Sequence, residues 1–304
     1  MIVTTPAQFR AAYSPARYPV VDPATARAVF LVAPSDFRLA AESAGDNVYM
    51  AMHESVDSTR AATEHAALAS ALSECLPTIV FPGNRDTPDA LFPNNAFATI
   101  PGRLIIGAMR HAVRQGETGR DDIRGFFADL LQYEIVDLST LPLVAELTGS
   151  LVIDRARGIG YCGLSERCDM AGARAMHDAF GLKLMFCFEL ARGEYHTNVV
   201  LAILATRAVI VAADGIADPA VVDAIASVYS PHVLKLDGAQ KSAFAANAIA
   251  LSSNIAWMSA RARSSLDAQQ RDALKSAGFE LRSVDLGEIE KAGGSLRCCV
   301  AEIF

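Results

Sequence analysis

The stretch that decides the fold runs from residue 197 to residue 236. It reads TNVVLAI at 197–203 and AVIVA at 208–212, then has a helical pattern at 219–228 and ends in HVLKL at 232–236. Short apolar runs that are rich in β-branched side chains predict strands. The order strand, strand, helix, strand therefore indicates an α/β fold.

The same alternation continues on both sides of this stretch. Further strands are predicted at 29–32, 78–81, 103–109, 150–154, 158–162 and 248–251. Helices are predicted from Ser58, with Ser58 and Thr59 as the cap, to about Cys75, and at 118–131, 169–180, 239–246 and 266–277. Units of two or three strands and one helix recur at roughly 50 to 60 residues, which suggests a propeller-like array. No Pro/Ser-rich linker divides the chain.

Composition and charge limit the class of protein. Hydrophobic residues make up 52% of the 304 residues and charged residues 20%, which is globular composition and excludes extensive disorder. The net charge of −7 is spread without a basic block, so we expect no nucleic-acid partner. The N-terminus lacks the features of a signal peptide, and no apolar run reaches membrane-spanning length. We expect a soluble cytoplasmic protein that does not bind a membrane.

The cysteines and histidines show no metal-ligand spacing. The six cysteines contain no CxxC pair, and no two histidines form an HxxxH pair on one helical face. We therefore expect reduced thiols and no metal site.

The segment GGSLRCC at residues 293–299 is the first candidate for chemistry. Consecutive glycines allow a positive φ and a close approach to a ligand, and an arginine beside a thiol favours the reactive thiolate. Cys298 is therefore the candidate nucleophile. The alternative is a glycine turn that leads into a last buried strand, 298–304, in which both thiols are small core residues.

A catalytic thiol needs a base, and the base needs an orienting group. His196 opens the apolar strand predicted at 197–203, so its imidazole is expected at the mouth of a strand. Glu146 and Gly149 precede another predicted strand in the same way, and Glu146 is the candidate orienting group. The alternatives are a structural histidine and a solvated loop glutamate.

Amides and arginines supply candidate substrate contacts. In the segment 92–97, FPNNAF, Asn95 offers one acceptor and two donors for a planar nitrogenous group. Arg114 and Arg167 are candidate bidentate clamps for a carboxylate, and Arg110 ranks lower. The alternatives are amides that only form a turn and ordinary surface arginines.

These pieces occur in one order along the chain: Phe-x-x-Asn, Met-Arg-x-x-x-Arg, Glu-x-x-Gly, Ser-Glu-Arg, His-x-Asn and Gly-Gly-x-x-Arg-Cys. That order resembles the guanidine-modifying, or pentein, superfamily, which includes arginine deiminase, dimethylarginine dimethylaminohydrolase, succinylarginine dihydrolase and glycine amidinotransferase. The likeness is greatest to the amidinotransferase-like branch with citrulline-utilisation hydrolases. The resemblance implies a five-bladed ββαβ propeller with pseudo-fivefold symmetry, formed by residues 1–304 as one catalytic domain.

The resemblance also implies roles for individual residues. It makes Cys298 the nucleophile, His196 the general acid and base, and Glu146 the partner of His196. Arg114 and Arg167 match the arginines that hold the substrate carboxylate in the deiminases, and Cys299 packs behind the nucleophile. The substrate-binding residues expected on this basis are Phe92, Asn95, Arg114, Gly149, Arg167, Asn198 and Arg297.

Two positions depart from the arginine deiminases, which carry aspartate where this chain has Asn95 and Asn198. A carboxylate holds a cationic guanidinium by charge-assisted hydrogen bonds, whereas an amide supplies no charge. A neutral ureido group, as in citrulline, is better matched to two amides. Succinylarginine dihydrolases also resemble this pattern with an asparagine near the substrate head, so a guanidino substrate stays open.

The resulting hypothesis is a hydrolase that acts on the guanidino or ureido group of an arginine-like or citrulline-like amino acid, through a covalent Cys298 intermediate and without a cofactor. An amidinotransferase would differ only in using an amine acceptor in place of water. A non-enzymatic binding protein on the same scaffold is a further alternative, against which the Cys-His-Glu set argues. A peptidase-type cysteine hydrolase is disfavoured because its nucleophile normally begins a helix.

The sequence does not determine the exact substrate, the leaving group or the oligomeric state, for which a homodimer is one arrangement.

Overall fold

A computed structural model describes all residues, 1–304, as sixteen strands and eleven α-helices. The strands are β1 (Ile2–Val3), β2 (Ala28–Val32), β3 (Thr78–Phe81), β4 (Phe97–Ile100), β5 (Arg103–Ile106), β6 (Glu134–Asp137), β7 (Leu151–Asp154), β8 (Ile159–Leu164), β9 (Leu184–Glu189), β10 (Leu201–Leu204), β11 (Ala208–Ala212), β12 (Val233–Leu236), β13 (Ile249–Ala250), β14 (Ile255–Ser259), β15 (Glu280–Val284) and β16 (Ala301–Ile303). The helices are α1 (Pro6–Ala12), α2 (Ser58–Ser73), α3 (Ala112–Thr118), α4 (Asp121–Gly125), α5 (Leu147–Ser150), α6 (Met170–Ala179), α7 (Thr197–Val200), α8 (Pro219–Tyr229), α9 (Gly238–Ser242), α10 (Ala260–Ser265) and α11 (Ala268–Ser276). None of these helices combines the length and the apolar character that a membrane span requires.

The strands form five separate sheets with one recurring connection. In each sheet a first strand pairs antiparallel with a second, and a third strand then pairs parallel with the second. The parallel pairing requires a crossover, which is helical in every unit. The sheet of β7, β8 and β9 gains β1 as a fourth strand, parallel to β9. The fold is thus a mixed α/β fold built from five ββαβ units.

One unit is assembled from both ends of the chain. Its first strand is β16, which pairs antiparallel with β2 so that Ala301 lies opposite Phe30 and Ile303 opposite Ala28. The first strands of the five units begin at residues 97, 151, 201, 249 and 301, which matches the repeat expected from the sequence. The polypeptide therefore closes its fifth unit with its last strand.

Local sequence explains why these elements form. All five residues of β11 are buried, as expected for a central strand that is covered on both faces. Helix α6 begins after Asp169, whose side chain accepts a hydrogen bond from the Gly172 N–H at 2.6 Å, and it buries Ala173 and Met176. The apolar faces of strands and helices meet in a hydrophobic cluster of 42 buried residues and in three smaller clusters.

Several predicted elements are wrong in part. The strand expected at 197–203 starts only at Leu201, because 197–200 form the short helix α7. The helix expected at 118–131 is divided, since α3 ends at Thr118, α4 covers Asp121–Gly125, and a π-helical turn continues to Leu130. The last strand begins at Ala301 because residues 296–299 form a turn.

The predicted boundaries of two helices differ from those in the structure. Helix α2 is capped by Asp57, whose carboxylate accepts from the N–H groups of Thr59 and Arg60, so Ser58 and Thr59 lie inside the helix. The helix expected at 239–246 is only Gly238–Ser242, followed by a turn. Strands that the prediction did not include are β1, β4, β6, β9, β14 and β15.

Candidate active site

A short helical turn precedes the first strand of every unit. These turns cover residues 93–95, 147–150, 197–200, 243–246 and 296–299. Polar side chains in or beside the five turns converge, although they are far apart in sequence. They are Asn95 before β4, Glu146 before β7, His196 and Asn198 before β10, Asn247 before β13, and Cys298 before β16.

Cys298 lies in the turn, and its side chain is only 1% exposed. Its N–H donates to the Ser295 carbonyl at 3.0 Å. The sulfur lies 3.2 Å from Asn247 Nδ2 and 3.8 Å from Asn198 Oδ1. Burial raises the pKa of the Cys298 thiol above its usual range, against the opposing effects of nearby N–H donors and arginine cations.

His196 and Glu146 form a buried pair. Nε2 of His196 lies 2.8 Å from Oε2 of Glu146, and neither side chain is exposed. Since Glu146 is ionised, Nε2 carries the hydrogen that the carboxylate accepts, and Nδ1 then holds a lone pair. Nδ1 is buried and has no hydrogen-bond partner in the protein. Burial lowers the pKa of His196, although the bond to Glu146 opposes that shift. The imidazole is thus oriented by one nitrogen and free to exchange a proton at the other.

Positive charge surrounds the Glu146 carboxylate. Arg167 Nη1 lies 3.2 Å and Arg114 Nη1 3.6 Å from Oε2, and the N–H of Arg110 donates to Oε1 at 3.2 Å. Burial alone would raise the pKa of Glu146, but Arg167, His196 and Arg114 together hold it well below its usual range. The side chain of Arg110 itself pairs with Glu166 at the surface.

Arg167 is already bound on nearly all its donors. Nε and Nη2 donate to the two oxygens of Asp46 at 2.8 and 2.6 Å, Nη2 also donates to the Ser43 carbonyl, and Nη1 donates to Glu146. A guanidinium has five N–H donors, so no bidentate face is left on Arg167. The predicted carboxylate clamp at this residue is therefore not available, and its contacts point to a role in holding Glu146.

Arg114 is only partly committed. Nε and Nη2 bind Glu117 at 2.9 and 2.8 Å, and Nη2 also reaches the Phe92 carbonyl at 3.3 Å. Nη1 makes no hydrogen bond, since Glu146 lies 3.6 Å away. Arg114 therefore keeps two N–H donors with which it could contact a ligand.

The Cys298 thiol lines a small cavity. Its lining residues are Ser43, Asn47, Asp89, Phe92, Asn95, Arg114, Arg167, Tyr195, Ala292, Gly294 and Cys298. Among them Asp89 is 4% exposed. Its Oδ2 accepts from the Ser43 hydroxyl at 2.5 Å, whereas its Oδ1 has no partner. The cavity therefore offers a buried carboxylate oxygen close to the thiol.

Gly149 and Gly294 lie so close to neighbouring side chains that a Cβ atom at either position would clash with them. A Cβ atom at Gly149 would lie 2.5 Å from Asn95 Oδ1 and 2.8 Å from His196 Cε1, so only glycine fits between the amide and the imidazole. A Cβ atom at Gly294 would lie 2.8 Å from the ring of Phe92. The Oδ1 atom of Asn95 is buried without a partner, like Nδ1 of His196. Both atoms face the same point above Gly149.

Three predicted substrate contacts, Gly149, Asn198 and Arg297, are not among the residues that line this cavity. The guanidinium of Arg297 donates to the Val300 carbonyl at 2.8 Å and to Glu302 at 3.0 Å. It lines a different cavity, as does Asn198, whose amide donates to the Thr148 carbonyl at 3.0 Å. The guanidinium of Arg297 is therefore engaged away from the thiol cavity and its contact with a substrate stays a prediction, while Asn198 adjoins the sulfur.

Sequence reasoning missed three residues of the site. Asp89 and Asp46 were not singled out, and Asn247 was hidden in an alanine-rich segment predicted as helix up to residue 246. The signal for Asn247 was its position two residues before the first strand of a unit, which is the position of Asn95 and of Gly149 in their units. No group of three or more His, Cys, Asp or Glu side chains is arranged to hold a metal ion.

Comparisons with known proteins agree with this geometry. The family model of N,N dimethylarginine dimethylhydrolase, eukaryotic, matches residues 33–304. The uncharacterized protein YkgA of Bacillus subtilis (strain 168) is 21% identical over 244 residues, which are 79% of this chain and 79% of that protein.

Solved structures share the fold. The N-terminal domain of a substrate-bound mutant of ArgZ, an arginine dihydrolase from the ornithine-ammonia cycle in cyanobacteria, matches with a TM-score of 0.77 and 18% identity over 91% of this chain and 97% of that chain. Dimethylarginine dimethylaminohydrolase in an adduct with 4-chloro-2-hydroxymethylpyridine matches with a TM-score of 0.70 and 20% identity over 91% of this chain and 100% of that chain. Likeness at these identities shows the mixed α/β fold of the pentein type.

The predicted relationship to guanidine-modifying enzymes is confirmed, whereas the special likeness to citrulline-utilisation hydrolases stays a prediction. Because the family model covers nearly the whole chain, this protein belongs to the family of eukaryotic-type N,N dimethylarginine dimethylhydrolases, within the guanidine-modifying, or pentein, superfamily.

Proposed function

We propose that the protein is a hydrolase that cleaves a C–N bond in the guanidino group of an arginine-like amino acid, with Cys298 as nucleophile and His196 as acid and base. The observation that carries this proposal is the imidazole of His196, which binds Glu146 through Nε2 and leaves a buried Nδ1 without a partner. An oriented base with one free nitrogen is what a thiol nucleophile requires.

In the first step the Cys298 thiol passes its proton to Nδ1 of His196, and the resulting thiolate attacks the central carbon of the guanidinium, so that a tetrahedral intermediate forms. His196 donates a proton to one nitrogen, the C–N bond breaks, and that nitrogen leaves as an amine or as ammonia. The carbon stays bound to sulfur. Because burial raises the pKa of the free thiol, a cationic substrate beside the sulfur would favour the thiolate at the moment of binding.

In the second step His196 takes a proton from water, and the oxygen attacks the sulfur-bound carbon. The C–S bond breaks, the ureido product leaves, and the thiolate is restored. One histidine thus acts first as an acid and then as a base. Glu146, held ionised by Arg114 and Arg167, would keep the imidazole in the same orientation through both steps.

Asp89 favours a guanidino over a ureido substrate. The two asparagines at positions 95 and 198 suggested a neutral substrate head, but Asp89 supplies a negative charge in the same cavity, and its Oδ1 has no partner. A carboxylate binds a guanidinium by charge-assisted hydrogen bonds that a neutral ureido group cannot match. Arg114, with two N–H donors on Nη1 free, is the residue we assign to the substrate carboxylate.

We also infer that the five units are arranged as the blades of a propeller, in one catalytic domain of residues 1–304. The adjacency of the first strands supports this arrangement, since β16 lies next to β4, β7 next to β10, and β10 next to β13. A ring of first strands would explain why the five turns that precede them meet at one site.

Mass spectrometry of reaction mixtures tests the function. Wild type, Cys298→Ser and Asp89→Asn are each incubated with arginine, methylated arginines, agmatine and citrulline, with and without glycine as an amine acceptor. We expect a ureido product from at least one guanidino compound with wild type, and none with Cys298→Ser. Asp89→Asn should lose guanidino turnover at least tenfold, the effect of one lost charge-assisted hydrogen bond.

Other results would redirect the proposal. Consumption of citrulline without consumption of any guanidino compound would make the protein a ureido hydrolase and remove the role of Asp89. A guanidino derivative of glycine would identify an amidinotransferase. Equal turnover by wild type and Cys298→Ser would refute the covalent mechanism.

A further inference from the structure

A buried amide that the reaction above does not use lies directly against the thiol. Asn247 is fully buried, and its Nδ2 atom lies 3.2 Å from Cys298 Sγ. The same Nδ2 donates to the Asn198 carbonyl at 3.0 Å, and Oδ1 accepts from the Cys298 N–H at 3.4 Å. One side chain thus contacts both the backbone and the sulfur of the candidate nucleophile.

The hydrogen bonds of Asn247 are all made within the protein. A primary amide has two N–H donors, and these point to the Asn198 carbonyl and to the Cys298 sulfur. The amide therefore acts on Cys298 and not on a substrate.

The backbone before Asn247 fixes the direction of this amide. Phe244 has a φ of 60°, in the left-handed region that a phenylalanine rarely adopts, and its carbonyl accepts the N–H of Asn247 at 2.8 Å. A residue is kept in that region only where its surroundings impose it, and such positions cluster at functional sites.

The charges around the sulfur show why a donor is needed there. A hydrogen-bond donor favours a thiolate, whereas burial and nearby negative charge favour the neutral thiol. The neutral Asn198 Oδ1, at 3.8 Å, is an acceptor and gives a thiolate no help. The ionisable groups that share the cavity or the turn with the sulfur are Asp89, Arg114, Arg167, Tyr195, Arg297 and Cys299.

We propose that Asn247 is a further catalytic residue, whose Nδ2–H hydrogen bond stabilises the thiolate of Cys298 and holds the sulfur in place for attack. The proposal rests on the proposed function in taking Cys298 as the nucleophile. Asn247 touches the reacting atom itself, so its effect must appear in the ionisation of the thiol as well as in turnover.

Alkylation of the thiol tests this role without any substrate. Wild type, Asn247→Ala and Asn247→Asp are treated with iodoacetamide from about pH 6 to pH 10, and modification of Cys298 is followed by peptide mass spectrometry. Gln240→Ala is the matched control, because it removes a buried amide whose partners are Asp237, Ser265 and Gln270 and not the thiol.

We expect Asn247→Ala to slow alkylation at pH 7 by about ten- to a hundredfold, the loss of one hydrogen bond to a charged group, and to move the midpoint to higher pH. Asn247→Asp has nearly the same shape but places a carboxylate at the sulfur, so its alkylation should be slower still. Gln240→Ala should follow the wild-type curve. In turnover, kcat should fall in both Asn247 variants and recover in part as pH rises, with little change in KM.

Wild-type midpoints in both Asn247 variants would overturn the proposal, even if the melting temperature fell, because a purely structural amide would change stability alone. If Asn247→Ala does not fold, the isosteric Asn247→Asp decides the question by itself. Failure of the proposed function would be seen in a different experiment. In that case Cys298→Ser would keep its turnover, whatever the alkylation curves show.

Discussion

Nε2 of His196 and Oε2 of Glu146 lie 2.8 Å apart across 50 residues of sequence, and each residue immediately precedes the short helix that leads into the first strand of its unit. The two short helices, α5 and α7, are in contact. The same short helix is therefore repeated in adjacent units, and this repetition places the side chains of Glu146 and His196 against each other. The site is built by repeating a position and changing the residue that occupies it.

The adjacent thiols have separable roles. We expect Cys298→Ser to reduce turnover by at least about a thousandfold with the fold intact, because a serine hydroxyl in this setting is far less nucleophilic than a thiol. Cys299 is fully buried in the same hydrophobic cluster as Leu296 and Val300, so Cys299→Ser should keep most activity and lose about 1–3 kcal/mol of stability. Initial rates and urea denaturation check both. The opposite pattern would move the nucleophile by one position.

The free enzyme should hold a neutral thiol at neutral pH. Burial raises the pKa of Cys298 and lowers that of His196, so the pair does not exist as thiolate and imidazolium before substrate binds. Ultraviolet absorbance of the thiolate, taken as wild type minus Cys298→Ser, should therefore have its midpoint above about pH 8.5, the ordinary thiol value. A midpoint below pH 7 would show a preformed ion pair and contradict this expectation.

Gly149 should tolerate no side chain. A methyl group there would lie 2.5 Å from Asn95 Oδ1 and 2.8 Å from His196 Cε1, so Gly149→Ala must displace the imidazole or the amide. We expect kcat to fall by at least about a hundredfold, since small misplacement of a catalytic group has effects of that size. Gly45→Ala is the control, because nothing lies within 4 Å of its Cβ position. Wild-type kcat in Gly149→Ala would show that the imidazole does not need this space.

His65 should make stability depend on pH far from the active site. It is 3% exposed on α2, its Nε2 has no partner, and burial lowers its pKa to about 4 against a hydrogen bond to the backbone of Val32. The unfolded chain, with an ordinary pKa near 6.5, takes up the proton first, so the contribution is complete above about pH 6.5 and is lost as pH falls toward 4.

The loss is on the order of 3 kcal/mol, from about 1.4 kcal/mol for each pH unit between the two pKa values. His65→Leu should flatten the dependence of urea denaturation on pH in this window, because leucine does not titrate. His53→Leu, at a histidine with an 84% exposed side chain, should leave the curve as in wild type. An unchanged slope in His65→Leu would assign the acid sensitivity to other groups.

Much of the fold could be predicted because hydrophobic runs show buried strands directly. The strand at 208–212 was predicted to the residue, since it is a continuous apolar run that is buried throughout. The strand at 78–81 was also predicted to the residue, although only Phe81 in it is buried. Strands such as β6 and β15 were missed because they carry partly exposed positions and acidic or basic side chains. The apolar segment at 197–200 was read as strand because a buried helical turn and a buried strand have the same hydrophobic pattern.

The residues of the candidate site, like the strands, could be predicted from the sequence only in part. Cys298, His196 and Glu146 could be suggested from their neighbours in sequence, and the structure brings His196 and Glu146 together. Asp89 and Asp46 become informative only through contacts across long sequence distances, such as the bond from Ser43 to Asp89 over 46 residues. The sequence also does not show that Asp46 and Glu146 use the donors of Arg167, so the clamp expected at that residue stays a prediction that these contacts disfavour.

The pairing of β16 with β2 links reactivity to the order of synthesis. The turn that carries Cys298 is anchored by residues 301–303, the last strand to be made, and their partner lies at 28–32, among the first. A growing chain can complete four of the five units while the thiol still has no fixed neighbours. The turn that carries Cys298 is therefore fixed only when residues 301–303 pair with residues 28–32, which makes the protection of this thiol a reporter of that long-range pairing.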